Sequence, residues 1–243
     1  MTKTAIQLYS LRELDESLLD LLARVGETNF DGVEFAGLGG ETPETVAEAL
    51  DTAGLGVAGA HVPFEELEAN PADVVETYRK VGCDHLVVPY LDESHFDTEK
   101  TAVETAHQLD DLAERVAEAG AELSYHNHDH EFVEIGDRTA FDAFIAESNL
   151  NIELDVGWVV AAGRDPISLL DCLSGRTPLV HLKDTADGTP VELGDGDVDM
   201  GACADTARSV GAEWLVYEHD DPNDPEASLL HGAERLTELN KRP

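Results

Sequence analysis

Residues Ala102-Val103-Glu104-Thr105-Ala106-His107-Gln108-Leu109-Asp110-Asp111-Leu112-Ala113-Glu114-Arg115-Val116-Ala117, followed after Gly120 by Glu122-Leu123-Ser124-Tyr125-His126, decide the fold. In the first stretch apolar residues recur three and four apart, the spacing of one helix face. Gly120 stands where that helix should stop, because glycine takes the left-handed backbone that closes a helix C-terminus. The second stretch is a short run of strand-forming character. Helix, glycine and strand make one unit, and the chain repeats it. Comparable runs lie at 5–9, 32–35, 57–61, 85–90, 152–156, 179–183 and 214–218, which with 122–126 makes eight.

The segments between them read as helices. Residues 14–25 show the same periodicity, and Thr42-Pro43, Asn70-Pro71 and Asp165-Pro166 read as N-caps with proline at the first helical position. Gly26, Gly54, Gly82, Gly120 and Gly211 mark helix ends. Eight strand–helix repeats predict an α/β fold, a single-domain (β/α)8 TIM barrel over residues 1–243, rather than a doubly wound sheet. No GxGxxG follows the first run, which argues against dinucleotide binding. The longest irregular stretch is 186–200, after the seventh run, on the face where barrels carry their sites.

Composition excludes several classes. The chain has 243 residues, enough for a core. It carries 15 Lys+Arg against 52 Asp+Glu, a net charge of −37, which repels nucleic acid. Lysine is rare, and an acidic surface poor in lysine suits a halophile, where molar salt shortens the Debye length to about 3 Å and screens self-repulsion. No apolar run is long enough to span a membrane. The first residues lack the apolar stretch of a signal peptide, and Cys83, Cys172 and Cys203 form neither a disulfide framework nor a CxxC pair, so a cytoplasmic location is expected.

In a barrel, chemistry sits where strands end. Those ends carry Glu34, His61, His126 with His128, Glu153 with Asp155, His181 with Lys183, and Glu218 with Asp220. Residues two apart share a strand face. Asp155, His181 and Glu218 lie inside apolar strands, which surface acidity does not explain. Unpaired burial would cost several kcal/mol each. Three such residues on successive strands favour a shared ligand. Imidazole with carboxylate suits one divalent ion: Mn, Co, Fe, Zn or, with more waters, Mg.

Several stretches together resemble the xylose-isomerase-like TIM barrel superfamily, in its sugar phosphate isomerase/epimerase branch. They are Gln7-Leu8-Tyr9-Ser10-Leu11-Arg12, Asp31-Gly32-Val33-Glu34-Phe35, Tyr125-His126-Asn127-His128-Asp129-His130-Glu131-Phe132, Glu153-Leu154-Asp155-Val156-Gly157-Trp158, His181-Leu182-Lys183-Asp184 and Glu213-Trp214-Leu215-Val216-Tyr217-Glu218. The resemblance implies a divalent metal held by Asp155, His181 and Glu218, with a strand-five ligand that is usually Glu and here falls on His126. It implies proton abstraction next to a carbonyl through a metal-stabilised enediolate, with Glu218 or His126 moving the proton. Lys183 is then an electrophile or a substrate-hydroxyl contact. Glu34, His61 and His128 contact the substrate, and Trp158 offers a face on which a sugar stacks. The His pair at the fifth strand also resembles relatives that dehydrate keto-inositols or act on keto sugars, so a dehydratase or lyase is the alternative. A non-catalytic carbohydrate-binding barrel is the second. The expected partner is a small sugar or keto sugar, with neither nucleic acid nor membrane, and relatives of this kind often form homo-oligomers. No Gly-rich phosphate cradle or Arg cluster follows the last two strands.

Overall fold

The computed structural model describes residues 2–241. All eight runs form parallel strands: β1 (Lys3–Gln7), β2 (Gly32–Phe35), β3 (Gly56–His61), β4 (His85–Val88), β5 (Glu122–His126), β6 (Asn151–Asp155) and β7 (Leu179–Leu182), then, after a hairpin of β8 (Asp184–Ala186) and β9 (Thr189–Val191), β10 (Trp214–Tyr217). The barrel closes in the order β1-β10-β7-β6-β5-β4-β3-β2. The result is a single-domain (β/α)8 barrel.

Alternation along the strands builds two cores. Outward residues such as Ile6, Val33, Leu86, Leu123, Ile152, Leu154, Val180 and Leu215 pack beneath the helices in the larger core. Inward residues Ala5, Val87, Leu179, Trp214 and Val216 fill the barrel's lower interior. Above them the inward positions turn polar, and the site begins there. The helix Glu99–Ala119 shows how the outer layer is held. Thr98 caps it in a reciprocal box with Thr101, and Gly120 ends it at φ 97°. It buries Ala102, Ala106, Leu109, Leu112 and Val116, each leucine stabilising by about 2 kcal/mol.

Thr42, Asp165 and the left-handed Gly54 do what their sequence positions predict. Asn70 and Gly26 stand at the expected helix boundaries with differences in detail, and one expectation changes. Asn70 occupies the N-cap of Pro71–Lys80 but makes no side-chain cap bond, joining that helix to Phe64–Ala69 at φ −147°. Gly26 ends the helix Leu18–Gly26 as its last residue, with Glu27 as its cap, and it has no room for a Cβ against Ala53. The stretch 186–200 is not wholly irregular, because its start forms the β8–β9 hairpin. Asp187 and Gly188 both take positive φ, 50° and 76°, as a two-residue hairpin turn requires. Among the described residues no helix is long and apolar enough to cross a membrane.

Candidate metal centre and active site

Only six of the 52 acids are buried: Glu34, Glu131, Glu153, Asp155, Asp184 and Glu218. All six lie at or just beyond the C-terminal strand ends, so the surface charge and the site are separate populations.

The upper cluster joins β5, β6, β7 and the end of β10. His126, Asp155, His181 and Glu218 each offer a donor atom within 4.8 Å of the others. His126 Nε2 stands 3.4 Å from Asp155 Oδ2 and 3.9 Å from Glu218 Oε2. His181 Nδ1 is 3.1 Å from Glu218 Oε2 and 4.0 Å from Asp155 Oδ2. Asp155 Oδ1 is already engaged, accepting from the Gly157 and Trp158 backbone N–H groups as the cap of the helix Val156–Ala161. That leaves Oδ2 for the cluster. Lys183 is fully buried beside these groups, its Nζ 2.9 Å from Asp155 Oδ2, 2.8 Å from Glu218 Oε2 and 2.7 Å from Asp220 Oδ2. It hydrogen-bonds Glu218. Toward Asp155 Oδ2 the contact is ionic but misaligned, so that oxygen has no hydrogen bond, and neither does either nitrogen of the His126 ring. Buried imidazoles and carboxylates without partners are rare unless something else fills the gap. Two nitrogens and two oxygens at this spacing fit a divalent ion of the Mn-to-Zn series.

Beneath lies a closed ring. The Gln7 amide donates to Glu34 Oε2 at 2.9 Å, and His181 Nε2 donates to the same oxygen at 2.7 Å. His61 Nε2 bonds Glu153 Oε2 at 2.8 Å, and His181 Nε2 is 3.3 Å from Glu153 Oε1. A register shift in the β2–β3 pairing sets Glu34 opposite Gly59, where any Cβ would come within 2.8 Å of Glu34 Oε1. The ring fixes the imidazole of His181 from below and turns Nδ1 up toward the cluster, the arrangement that orients metal-ligating histidines.

Electrostatics follow from this packing. Burial would raise Asp155, but Lys183, His126 and His181 override it and hold its carboxyl at about 2. Glu218 is likewise held well below the ordinary range, by Lys183 and His181 against burial. Burial opposes a charged His181, yet Glu153, Glu34 and Glu218 hold it well above the usual histidine value. Burial and the neighbouring Glu153 push Glu34 up. His128 is driven down to about 2 by burial, His126 and Lys183, and is therefore neutral. Asp155, depressed in the fold, contributes stability that is complete above the unfolded value near 3.8 and is lost as pH falls toward about 2. In metal-free protein, Asp155→Asn should flatten that acid limb by about 2 kcal/mol, measured as urea midpoints from about pH 5 downward; an unchanged limb would refute the assignment.

The cluster opens into a cleft of about 590 Å³ floored by His61, His126, His128, Glu218 and Asp220. The His126–His130 turn is shaped by buried Glu131, which accepts from Tyr125 O–H at 2.6 Å and from the His128 N–H at 2.8 Å. On the other side Asp184 organises the loop after β9. Its carboxylate accepts from the backbone N–H groups of Thr185, Gly194, Gly196 and Val198 at 2.8–3.1 Å. Gly196 is required, since a Cβ there would overlap Asp184 Oδ1.

Of the residues singled out from sequence, His126, Asp155, His181, Lys183 and Glu218 converge, and His61 and His128 face the cleft. Glu34 sits one layer deeper; its carboxylate meets Gln7, His61 and His181. Trp158 places its ring over Lys183, with Nζ 4.7 Å from the centroid, and 5.8 Å from His128. Sequence reasoning gave no role to Gln7, Glu153, Asp184 or Asp220. Glu153 shares the strand face of Asp155, and that was the available signal.

A closed (β/α)8 barrel with a mixed histidine–carboxylate cluster at its mouth is the class that fold and site define. The chain belongs to the xylose isomerase-like TIM barrel family, whose model matches residues 19–239. The rhizopine catabolism protein MocC of Rhizobium meliloti is 28% identical over 137 residues, 48% of this chain and 42% of that protein. The aligned part therefore spans less than half the length of this curated relative. A sugar phosphate isomerase/epimerase from Parabacteroides distasonis ATCC 8503 superposes with a TM-score of 0.84 at 20% identity, covering 99% of each chain. The IOLI protein, solved with a bound zinc atom, gives 0.73 at 15% identity over 98% of each.

Proposed function

We propose that this protein is a divalent-metal-dependent sugar isomerase or epimerase that moves a proton next to a carbonyl. One observation carries the reading: the His126 ring at the floor of the cleft, with neither nitrogen hydrogen-bonded, beside an Asp155 Oδ2 that has an ionic contact to Lys183 but no hydrogen bond. His126, Asp155, His181 and Glu218 would hold the ion. When bound, it supplies Lewis-acid stabilisation of negative charge on the substrate's oxygens. The protein does the rest. Lys183 and His181 fix Glu218 Oε2, and Oε1 is the oxygen left to take the substrate's proton. His126 stands near the same carboxylate as the second proton-moving group. His61 and His128 present polar atoms to substrate hydroxyls, while Glu34 acts through His61 and His181. Lys183, its ammonium among the carboxylates of Asp155, Glu218 and Asp220, keeps the site's charge near balance and holds Glu218 in place.

A second reading, a keto-sugar or keto-inositol dehydratase, is favoured by His126 itself. With imidazole at the end of β5, the two groups poised to move protons are a carboxylate and a histidine; expulsion of a β-hydroxyl needs a base to take the α-proton and an acid to protonate the departing hydroxyl, and Glu218 and His126 would fill these two roles. The test is deuterium exchange. Metal-loaded protein and a panel of ketoses and keto-inositols in D₂O should show incorporation beside the carbonyl, stopped by EDTA and restored by Mn²⁺ or Co²⁺. Water loss instead of reprotonation selects the dehydratase. Sugar binding without exchange, by metal-loaded protein, selects a carbohydrate-binding barrel.

A further inference from the structure

Two aromatic rings at the mouth of the cleft have no part in the cluster below. Tyr9, just beyond β1, is 44% exposed, and Tyr90, just beyond β4, is 51% exposed. These are two of the few large hydrophobic side chains left in solvent among the described residues, and both line the same cleft. Neither ring is loose. The Arg12 guanidinium lies over Tyr9 at 4.1 Å from its centroid. His128 and His130 meet Tyr90 at 5.1 and 5.3 Å. Pro63 and Pro89 add apolar surface to the same cleft. A tyrosine held rigid and half in water presents a flat apolar face at low entropic cost, and such faces serve as binding platforms.

Size and charge narrow what they receive. The cleft's volume of about 590 Å³ lies within the range of pockets that take drug-sized ligands, larger than a single sugar ring. Among the described residues no Lys or Arg lines the cleft, whereas Glu66, Glu218 and Asp220 do. Lys183 lies behind the floor among three carboxylates, and Arg12 is engaged by Tyr9 and Glu13. A phosphate dianion would meet acid and no free cation.

Resting on the isomerase-type reading above, we infer that the substrate is an unphosphorylated keto sugar carrying a second, flat-faced ring or aglycone, its carbonyl on a ring carbon other than the anomeric one, with the reacting ring over His126 and Glu218 and the second group against Tyr9 and Tyr90. This separates the cleft into a polar reacting half and an apolar holding half.

Calorimetric binding to metal-loaded protein tests it with three probes: methyl β-D-glucopyranoside, phenyl β-D-glucopyranoside and glucose 6-phosphate. The phenyl glycoside should bind about tenfold more tightly than the methyl glycoside, and the phosphate ester most weakly. In Tyr9→Ala and Tyr90→Ala the phenyl-to-methyl ratio should fall toward one, while Leu230→Ala, exposed on the helix Pro225–Asn240, leaves it unchanged. No phenyl preference, a preference that survives both tyrosine changes, or tightest binding of the phosphate ester would overturn the inference. Deuterium exchange reads the underlying reaction separately, so loss of exchange with an intact phenyl preference would refute the reaction and keep the subsite.

Discussion

Asp155→Asn will leave the barrel folded and strip it of metal. The two carboxylate oxygens do different work. Oδ1 accepts the Gly157 and Trp158 N–H groups and caps the helix that follows β6; Oδ2 faces His126 and Lys183. Asparagine keeps a carbonyl oxygen for the cap and loses the charge. Asp155→Ala loses both, adding about 1 kcal/mol for the cap. Metal content by plasma mass spectrometry should fall from about one equivalent to near zero in both variants. The affinity loss should exceed the roughly 10–100-fold that removal of an outer partner costs. Melting temperature in the metal-free state separates them, with alanine below asparagine. Metal retained at full stoichiometry by the asparagine variant would rule out this cluster as the ion's site.

Lys183→Met should produce the largest change in stability, and that change should depend on metal. In metal-free protein the substitution leaves Asp155, Glu218 and Asp220 facing one another with their shared counter-charge gone. Removing one partner of a buried ionic group costs about 3–5 kcal/mol, which at this chain length lowers the melting temperature by about 6–20 °C. A divalent ion held by Asp155 and Glu218 returns positive charge to the same oxygens. Added Mn²⁺ should therefore stabilise the variant more than it stabilises the parent, measured by calorimetry with and without metal. Equal stabilisation of the two proteins would show that lysine and ion do not share those carboxylates.

The strands were legible because they alternate, and because glycines and prolines punctuate the helices between them. The β8–β9 hairpin was not, since its strands are three residues each and sit in a glycine-rich stretch. Its one strong signal was the Asp187-Gly188 pair at the turn. The upper cluster was legible for a different reason: Asp155, His181 and Glu218 are charged residues in apolar strands, so their positions are anomalous within a few neighbours. The lower ring was legible only in its members: Glu34, His61 and Glu153 stand at strand ends, but nothing local shows that they meet. Glu34 reaches His181 across 147 residues of chain, and His61 reaches Glu153 across 92. Only barrel closure brings them together, and no spacing in the sequence pairs them.

Lys183 and Asp184 are consecutive residues that serve opposite sides of one peptide. The first ties down three carboxylates of the site; the second gathers three backbone N–H groups of the loop after β9 together with that of its neighbour Thr185. Loop and reacting centre thus share a single mechanical anchor. For grafting loops between barrels of this family, the exchangeable piece is the hairpin tip at 187–190, because Glu192 is held by Tyr217 and Ser228 and Leu193 is buried and held by His231. A junction placed anywhere from 194 to 198 would cut the tether and shift the ammonium with it.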